Sequence, residues 1–300
     1  MALAAVTPLH RPVVPGVDEA LNVLSGRKVA ILTGAGISTD SGIPDYRGEG
    51  APKNHPMSLN EFLNSSERRR RYWMGSHLGW RTFHKAVPNA GHKAVAQLEK
   101  DGVAVGVVTQ NVDVLHHEAG SMRIVDLHGR LDRVRCLQCS QSYSRDGIAA
   151  QIDAANPGFL EAMRNQQVMP DGDVSVETDW DFVIPTCDLC QGMLKPEVVF
   201  FGEFVPTSVF QSAASLVDGA DALVVAGSSL VVNTGMRLVS QARKQKKPVV
   251  VINRGPTKAD SLATVRIEAG TSEALVAMSE AVRVSVAGCP KGSGASLGVV

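Results

Sequence analysis

Four of the five cysteines in this chain fall into two Cys-x-x-Cys pairs, Cys136 and Cys139 in "RVRCLQCSQSYS" and Cys187 and Cys190 in "PTCDLCQGML". Two knuckle turns of this kind offer four thiolates to one tetrahedral ion. Four thiolates close a zinc shell and leave no open position for a reacting water. The pattern favours one structural Zn2+ per chain over two redox pairs or a chance spacing, and such an ion holds a module together without doing chemistry. The spacer between the pairs exceeds the ~15–20 residues of a compact ribbon, so each pair is expected on its own short hairpin with an excursion between them. The odd cysteine count, with Cys289 read as a free thiol in the tail, argues against a secreted disulfide framework.

A second chemical feature is "TGAGIS" at 33–38. It follows an apolar run and is expected to open a helix, so that amides around Gly34, Ala35 and Gly36 could cradle a diphosphate. It is half of a dinucleotide fingerprint. Thr39 stands where a third glycine belongs, and Lys53 and Asn54 stand where an acidic ribose ligand is expected. Alone, the turn also reads as a tight strand-to-helix connection.

The elements that must hold these groups are legible as apolar runs ending in small polar residues, at 28–36, 103–113, 221–229 and 247–255. Such runs suit parallel strands buried on both faces. Helical patterns separate them. One spans 88–102, with Asn89 as cap and Gly102 beyond its end, and another spans 234–247, basic in its last turn. The alternation predicts an α/β fold, a Rossmann-like doubly wound parallel sheet with a small inserted zinc-ribbon module and a helical insertion. In such sheets the ligand crevice lies outside the carboxyl ends of the strands. Here those ends are Gly34–Gly36, Gln110–Asp113, Gly227–Ser229 and Asn253–Gly255. The expected organisation is a flexible arm over 1–18, a dinucleotide-binding domain over 19–132 and 196–285 with a loop and helical insertion at 41–85, a loop-rich zinc module over 133–195, and a flexible tail over 286–300.

Composition excludes more than it selects. Of 300 residues 44% are hydrophobic and 20% charged, with thirty Lys plus Arg against thirty Asp plus Glu, so no net field draws the chain to nucleic acid or membrane. No apolar run reaches the ~18 residues needed to span a bilayer, and the N-terminus lacks a secretory pattern. A cytoplasmic, monomeric protein is the expectation. The run Glu67–Arg71 reads as a solvated helix face.

Taken together, GAGIS (34–38), GIPDYRG (42–48), TQNVD (109–113), HG (128–129), the cysteine pairs, KPEVVFFGE (195–203), GSSL (227–230) and NRGPT (253–257) resemble, in order, the motifs of the sirtuin family of NAD-dependent protein lysine deacylases. The resemblance covers roughly residues 20–280 and is closest to class II, the subgroup of the mitochondrial human member four. It implies NAD as co-substrate, structural zinc, and acyl-lysine proteins or peptides as partners. In the implied reaction the acyl oxygen attacks the anomeric carbon of the nicotinamide ribose, nicotinamide departs, and a ribose hydroxyl closes onto the adduct to give O-acyl-ADP-ribose.

His128 is then the implied general base, a task that suits a neutral imidazole, and Asn111 a second catalytic residue. Ile43, Asp45, Asn111 and Asp113 would hold the nicotinamide carboxamide, although Asn111 and Asp113 also suit capping of the next helix. Tyr46 stands where the family more often has Phe, and Arg47 would meet phosphate. Gly34, Ala35, Gly36, Ser38, Gln110, Gly227, Ser228, Ser229, Asn253, Arg254, Gly255 and Thr271 complete the implied cofactor site. A substrate peptide would add as a strand between 197–204 and 231–235, touching Val198, Phe200, Gly202, Glu203 and Asn233, unless 197–204 is ordinary core strand. His84, His92, His116 and His117 read as structural. Tyr72 is followed three residues on by Gly75 rather than Arg, which argues against small diacid acyl groups, and Arg71 is a candidate contact for a longer polar acyl group. Two other readings are ADP-ribosyl transfer to protein in the same crevice and an NAD-sensing nucleic-acid regulator. The second is disfavoured because basic and aromatic residues do not interleave around the cysteines.

Overall fold

The apolar runs form strands because each strand has a core on either side of it. In this computed structural model, which describes residues 13–45, 56–163 and 180–287, the strands are β1 (Val29–Thr33), β2 (Ala104–Thr109), β3 (Ile124–Asp126), β4 (Gly129–Cys136), β5 (Ser142–Ser144), β6 (Leu194–Val198), β7 (Ala222–Ala226), β8 (Val249–Ile252) and β9 (Val265–Ile267). The helices are α1 (Val17–Leu24), α2 (Leu59–Asn64), α3 (Ser66–Phe83), α4 (Ala90–Lys100), α5 (Leu115–Glu118), α6 (Arg145–Ala155), α7 (Phe159–Ala162), α8 (Thr207–Asp218), α9 (Asn233–Lys244) and α10 (Thr271–Ala287).

Six strands make one parallel sheet in the order β3-β2-β1-β7-β8-β9. Every β1 residue is buried. Val29 and Ile31 belong to a core shared with α1, α4 and α10, and Ala30 and Leu32 to a core shared with α8 and α9. That alternation makes the sheet doubly wound. Chain order reverses between β1 and β7, which places the crevice at their carboxyl ends. The two expected helices form as α4 and α9, and Asn89 caps α4 by accepting from the amides of Gly91 and His92. Val14 and Val17 are buried in the first core, so the described end of the expected arm is part of the fold.

The remaining strands form an antiparallel sheet, β5-β4-β6. The helical insertion and the cysteine-bearing segment share one core there: Phe62, Tyr72, Trp73 and Met74 pack with Val134, Ile148, Phe159, Phe182 and Leu194. Within the module expected at 133–195, α6 and α7 form on either side of the loop stretch at 156–158, and most of the second loop stretch, 169–179, lies outside the described residues. Ser144 caps α6 through the amide of Gly147, and Ile148 and Ile152 bury one face. The basic run is solvated as expected, with Arg71 paired to Glu67 and Arg68 to Glu61. No helix of the described residues is long and apolar enough to cross a membrane.

Candidate active site and metal centre

The carboxyl ends of β1, β2, β7 and β8 open into a cavity of about 970 Å³. Close approach of two turns shapes its floor. A Cβ on Gly34 would lie 2.7 Å from Ser228 Cβ, one on Gly36 would lie 2.8 Å from Gly227 Cα, and Gly227 itself has φ +68°. Only glycine lets these backbones meet. The turn does not open the expected α-helix. It makes two single 3-10 turns, Ala35–Ile37 and Thr39–Ser41, because the amides of Gly36, Ile37 and Ser38 donate to Gly227, Gly34 and Ala35. The amide cradle for a diphosphate is therefore narrower than the fingerprint suggests.

A polar network backs this floor. The Ser38 hydroxyl donates to Asp113 Oδ2 at 2.7 Å, and Asn111 Nδ2 donates to Ser38 Oγ at 3.0 Å and to the Gly34 carbonyl at 3.1 Å. Asp113 Oδ1 accepts from the Leu115 amide, so the capping role and a place at the floor coexist. Burial holds the Asp113 carboxyl above its usual range, against the pull of Ser38. Beneath lie His92 and His116, rings 4.9 Å apart. His116 Nε2 is 2.9 Å from Thr33 Oγ1 and His92 Nε2 is 3.5 Å from Ser38 Oγ. Burial pushes His92 down to about 4 and His116 well below the usual histidine value. His117 pairs with Asp126, and His84 lies 3.8 Å from Asp146 at the surface.

His128 sits between β3 and β4 with its ring at the cavity. Its Nδ1 is 3.0 Å from the carbonyl of Gln110. A carbonyl only accepts, so Nδ1 carries the hydrogen and Nε2 the lone pair. Nε2 lies 2.8 Å from Thr234 Oγ1 and accepts from that hydroxyl. Burial lowers the His128 pKa, with the Gln110 contact opposing it, which favours the neutral base. Gln110 in turn accepts from Ser228 Oγ, and its side chain fits because residue 235 has no Cβ.

The wall opposite is Val198–Glu203. The extended edge expected over 197–204 ends as a strand at Val198, and only Phe201 continues it, in a parallel bridge to Ser58. The facing strand expected at 231–235 does not form, because α9 begins at Asn233. Phe200 packs on Tyr72 and Phe62 at ring distances of 5.0 and 5.1 Å.

The cavity brings together Gly34, Ala35, Gly36, Ser38, Ile43, Asp45, Gln110, Asn111, Asp113, His128, Val198, Phe200, Gly202, Glu203, Gly227, Ser228, Ser229, Asn253, Arg254, Gly255 and Thr271. Asn233 is not among them. It lies in an outer groove with Phe210 and Arg237, while its neighbour Thr234 reaches the cavity. Glu203 turns its carboxylate to Lys195. Arg71 does not line the cavity, whereas Tyr72 does. Tyr46, Arg47 and Cys289 lie outside the described residues. Sequence reading missed Thr234, while His92 and His116 are buried as the structural histidines they were read to be. The position of Thr234 in the first turn of a helix at the crevice mouth was the available signal for it.

Away from the cavity, the four cysteine sulfurs lie within 4.8 Å of one another. Cys136 and Cys190 are 3.5 Å apart, and Cys139 and Cys187 3.6 Å. Four sulfurs bonded tetrahedrally at ~2.3 Å to one zinc would sit ~3.8 Å apart, so the cluster fits that ion and is too open for disulfides. Each pair occupies a hairpin, as expected: β4–β5 carries the first, and the Thr186–Met193 bridge closes the second. The Tyr143 hydroxyl, 3.0 Å from Cys187 Sγ, lowers that thiol to about 6.

Residues 34–234 match the Sir2 family model. The chain is 48% identical over 265 residues to NAD-dependent protein deacetylase 1 of Mycobacterium avium, covering 87% of this chain and 94% of the relative. It is 44% identical over 271 residues to NAD-dependent protein deacylase Sirt4 of Drosophila melanogaster, covering 87% and 86%. A solved Sir2 enzyme superposes with a TM-score of 0.71 at 32% identity, covering 90% of this chain and 98% of that one. A Sir2 complex with p53 peptide and NAD+ superposes with a TM-score of 0.66 at 28% identity, covering 90% and 98%.

Proposed function

The chain belongs to the Sir2 family, and from that premise we infer an NAD-dependent protein lysine deacylase in which His128 is the general base. The observation that carries the base assignment is the tautomer: Nδ1 is spent on the Gln110 carbonyl, which leaves the Nε2 lone pair at the crevice. Bound NAD supplies an anomeric carbon whose bond to nicotinamide can break in favour of the acyl oxygen.

Around that chemistry the residues act as follows. Asn111, Asp113 and Ile43 hold the carboxamide end, the buried Asp113 being kept in place by the Ser38 hydroxyl and the Leu115 amide. Their low exposure excludes water while the ring leaves. His128 Nε2 then takes a proton from a ribose hydroxyl, exchanging its Thr234 contact for that group. Arg254, Asn253, Ser228 and Thr271 serve the far end of the nucleotide. Val198 and Phe200 wall the passage for the lysine. Solved relatives hold a p53 peptide or a propionylated peptide, and acyl-lysine peptides are the partner class proposed here. The four cysteines hold one structural zinc, which supplies a cross-link between two hairpins and no open coordination position. ADP-ribosyl transfer is not favoured, since the relatives are named deacetylases and deacylases.

The test is mass spectrometry of products from NAD with acetyl-, propionyl-, longer fatty-acyl, lipoyl- and methylglutaryl-lysine peptides. O-acyl-ADP-ribose from at least one peptide, lost in His128→Ala, is the expected result. Nicotinamide release with ADP-ribose left on protein and no acyl product would overturn it.

A further inference from the structure

Glu203 lines the cavity, yet its carboxylate is not offered to it. Glu203 Oε2 lies 2.9 Å from Lys195 Nζ and accepts from the Phe200 amide at 2.8 Å. Lys195 is only 7% exposed. Its ammonium also donates to the Val198 carbonyl at 2.6 Å and lies 4.6 Å from the centroid of the Phe200 ring. The two ends of one partly buried ion pair thus hold two backbone groups, one on each side of Val199. Because Val199 gives its amide to His128 and β6 is the edge strand of its sheet, these two groups face away from β4.

Val199 itself donates its amide to the carbonyl of His128 at 2.8 Å, and the Phe201 carbonyl accepts from Leu59. The wall that faces the cavity through Val198 and Phe200 is therefore fastened at one point to the base and at two points to the ion pair. Such a pair is a weak source of net stability, because desolvating the lysine offsets much of its attraction to the half-buried carboxylate. Its geometry is a better account of it than its energy. The side-chain hydrogen bonds and ion pair of Lys195 and Glu203 go to Pro196, Val198, Phe200 and each other, and not to the turns at Gly34–Ser38, Gly227–Ser229 or Asn253–Gly255, where the nucleotide is expected.

We propose that Lys195 and Glu203 form a latch that positions the wall 198–203 against His128, so that recognition of the acyl-lysine segment, and not of the nucleotide, depends on this pair. The inference rests on the deacylase reading above. Lys195 and Glu203 are positioning residues, acting through Phe200 and Val199. Loss of the ammonium frees the Val198 carbonyl and the Phe200 ring together. Loss of the carboxylate charge frees the ammonium but leaves an amide oxygen for the Phe200 amide.

The experiment uses the zinc-loaded full chain and the variants Lys195→Met, Glu203→Gln and the double variant. Dissociation constants are read by anisotropy for labelled peptides bearing acetyl-, propionyl- and longer fatty-acyl-lysine, and by calorimetry for ADP-ribose. Each single variant is expected to weaken peptide binding ~10-fold, the scale of one charge-assisted hydrogen bond. ADP-ribose affinity should stay within about twofold, and kcat at saturating peptide should fall less than kcat/KM. The double variant should be no worse than Lys195→Met, because the pair acts as a unit. Unchanged peptide affinity in Glu203→Gln overturns the latch even if the methionine variant fails to fold. So does an equal loss of peptide and ADP-ribose affinity, which is the mark of general destabilisation, or additivity in the double variant. Wild-type protein that binds none of the peptides overturns the deacylase reading and the latch with it. Wild-type protein that binds them as well as the variants do overturns the latch alone.

Discussion

The parallel sheet and the smaller antiparallel lobe are built on different principles. The sheet is closed by helices on both faces, and each face has its own continuous core of Val, Ile, Leu and Ala. The lobe has three strands and a core in which Cys136 and Cys187 are themselves fully buried members. It also buries a cation. Arg145 lies under the rings of Trp73 and Trp80 at 5.3 and 5.7 Å, and its Nε and Nη1 have no hydrogen-bond partner among the described residues. Burial lowers its pKa to about 10. Its Nη2 donates to Ser76 Oγ at 3.4 Å, and a core carrying a guanidinium satisfied at that one nitrogen has little stability to spare. The crevice parts are divided between these two regions. The turns proposed to hold the nucleotide belong to the sheet, the wall beyond β6 continues from the lobe, and His128 lies at the seam. Nucleotide binding and peptide binding should therefore fail separately.

The largest expected effect follows from the metal. A structural zinc contributes on the order of 10 kcal/mol to a small domain, comparable with the ~5–15 kcal/mol that holds a whole domain folded. Cys187→Ser, or a strong chelator, should raise amide exchange in β4, β5, β6 and α6 while β1, β2, β7 and β8 stay protected. ADP-ribose should still bind, and peptide should not. If the sheet amides lose protection in step with the lobe, the two regions are one cooperative unit and the contrast fails.

Next comes the seam. His128→Ala should lower kcat by ~10²–10⁴-fold, the range for loss of a positioned general base, with ADP-ribose affinity and melting temperature little changed. Thr234→Val removes only the hydroxyl that Nε2 accepts from. It should lower kcat by less than ~10-fold, since the Gln110 carbonyl still fixes the tautomer. An equal loss in the two variants would make Thr234 a proton carrier. The pH profile adds a sign. Because the His128 pKa is lowered, the acid limb of kcat/KM should fall below pH 6.5.

Acid should strike the regions in the opposite order to chelation. His92 and His116 lie under the sheet's crevice floor and are held neutral by burial, His92 down to about 4. In the unfolded chain both would protonate near 6.5. Between pH 6.5 and about 4 the unfolded state therefore binds more protons, and stability falls as pH falls, by ~1.4 kcal/mol per pH unit for each net proton. The lobe has one such histidine, His77, lowered by burial against its Asp153 contact. Asp113 works in the other sense, its raised carboxyl favouring the folded state as it protonates. Urea titrations between pH 6.5 and 5 should show stability falling with pH, and falling more steeply in Asp113→Asn, where the opposing carboxyl is gone. A flat profile in that variant would mean the two buried rings do not titrate on unfolding.

The sequence was legible where one chemical demand fixes several residues at once. Cys136, Cys139, Cys187 and Cys190 were readable because tetrahedral thiolate ligation dictates both type and spacing. β1, β2, β7 and β8 were readable because burial on both faces forces continuous apolar runs. What stayed hidden depended on contacts between distant segments. Gly34 and Gly36 looked like phosphate-binding glycines, but their lack of Cβ is also required by Gly227 across the turn. Glu203 looked like a substrate contact because nothing local reveals that Lys195 folds back onto it. Asn233, expected on a strand facing the substrate, instead opens α9 and lies in the outer groove, which only the position of the helix start decides. His92 and His116 had no motif at all. Their place under Ser38 comes only from packing α4 and α5 against β1.

The smallest expected effect is also the sharpest probe of the lobe. Tyr143 lies on β5, its residue paired with Val134 of the lobe core, and its hydroxyl meets Cys187 Sγ at 3.0 Å. Tyr143→Phe keeps the ring and deletes one donor to a metal ligand. Outer contacts of this kind typically change metal affinity by ~10–100-fold, so zinc transfer to a chromogenic chelator should quicken by ~10-fold. With zinc in excess, the melting temperature and ADP-ribose affinity should hardly move, because the four thiolates remain and the sheet is untouched. Faster zinc loss accompanied by faster exchange in β4–β6, and not in β1 or β7, would tie the lobe's order to retention of the ion. An unchanged release rate would mean that the thiolates alone set it, and that the lobe's dependence on the metal gains nothing from its aromatic surroundings.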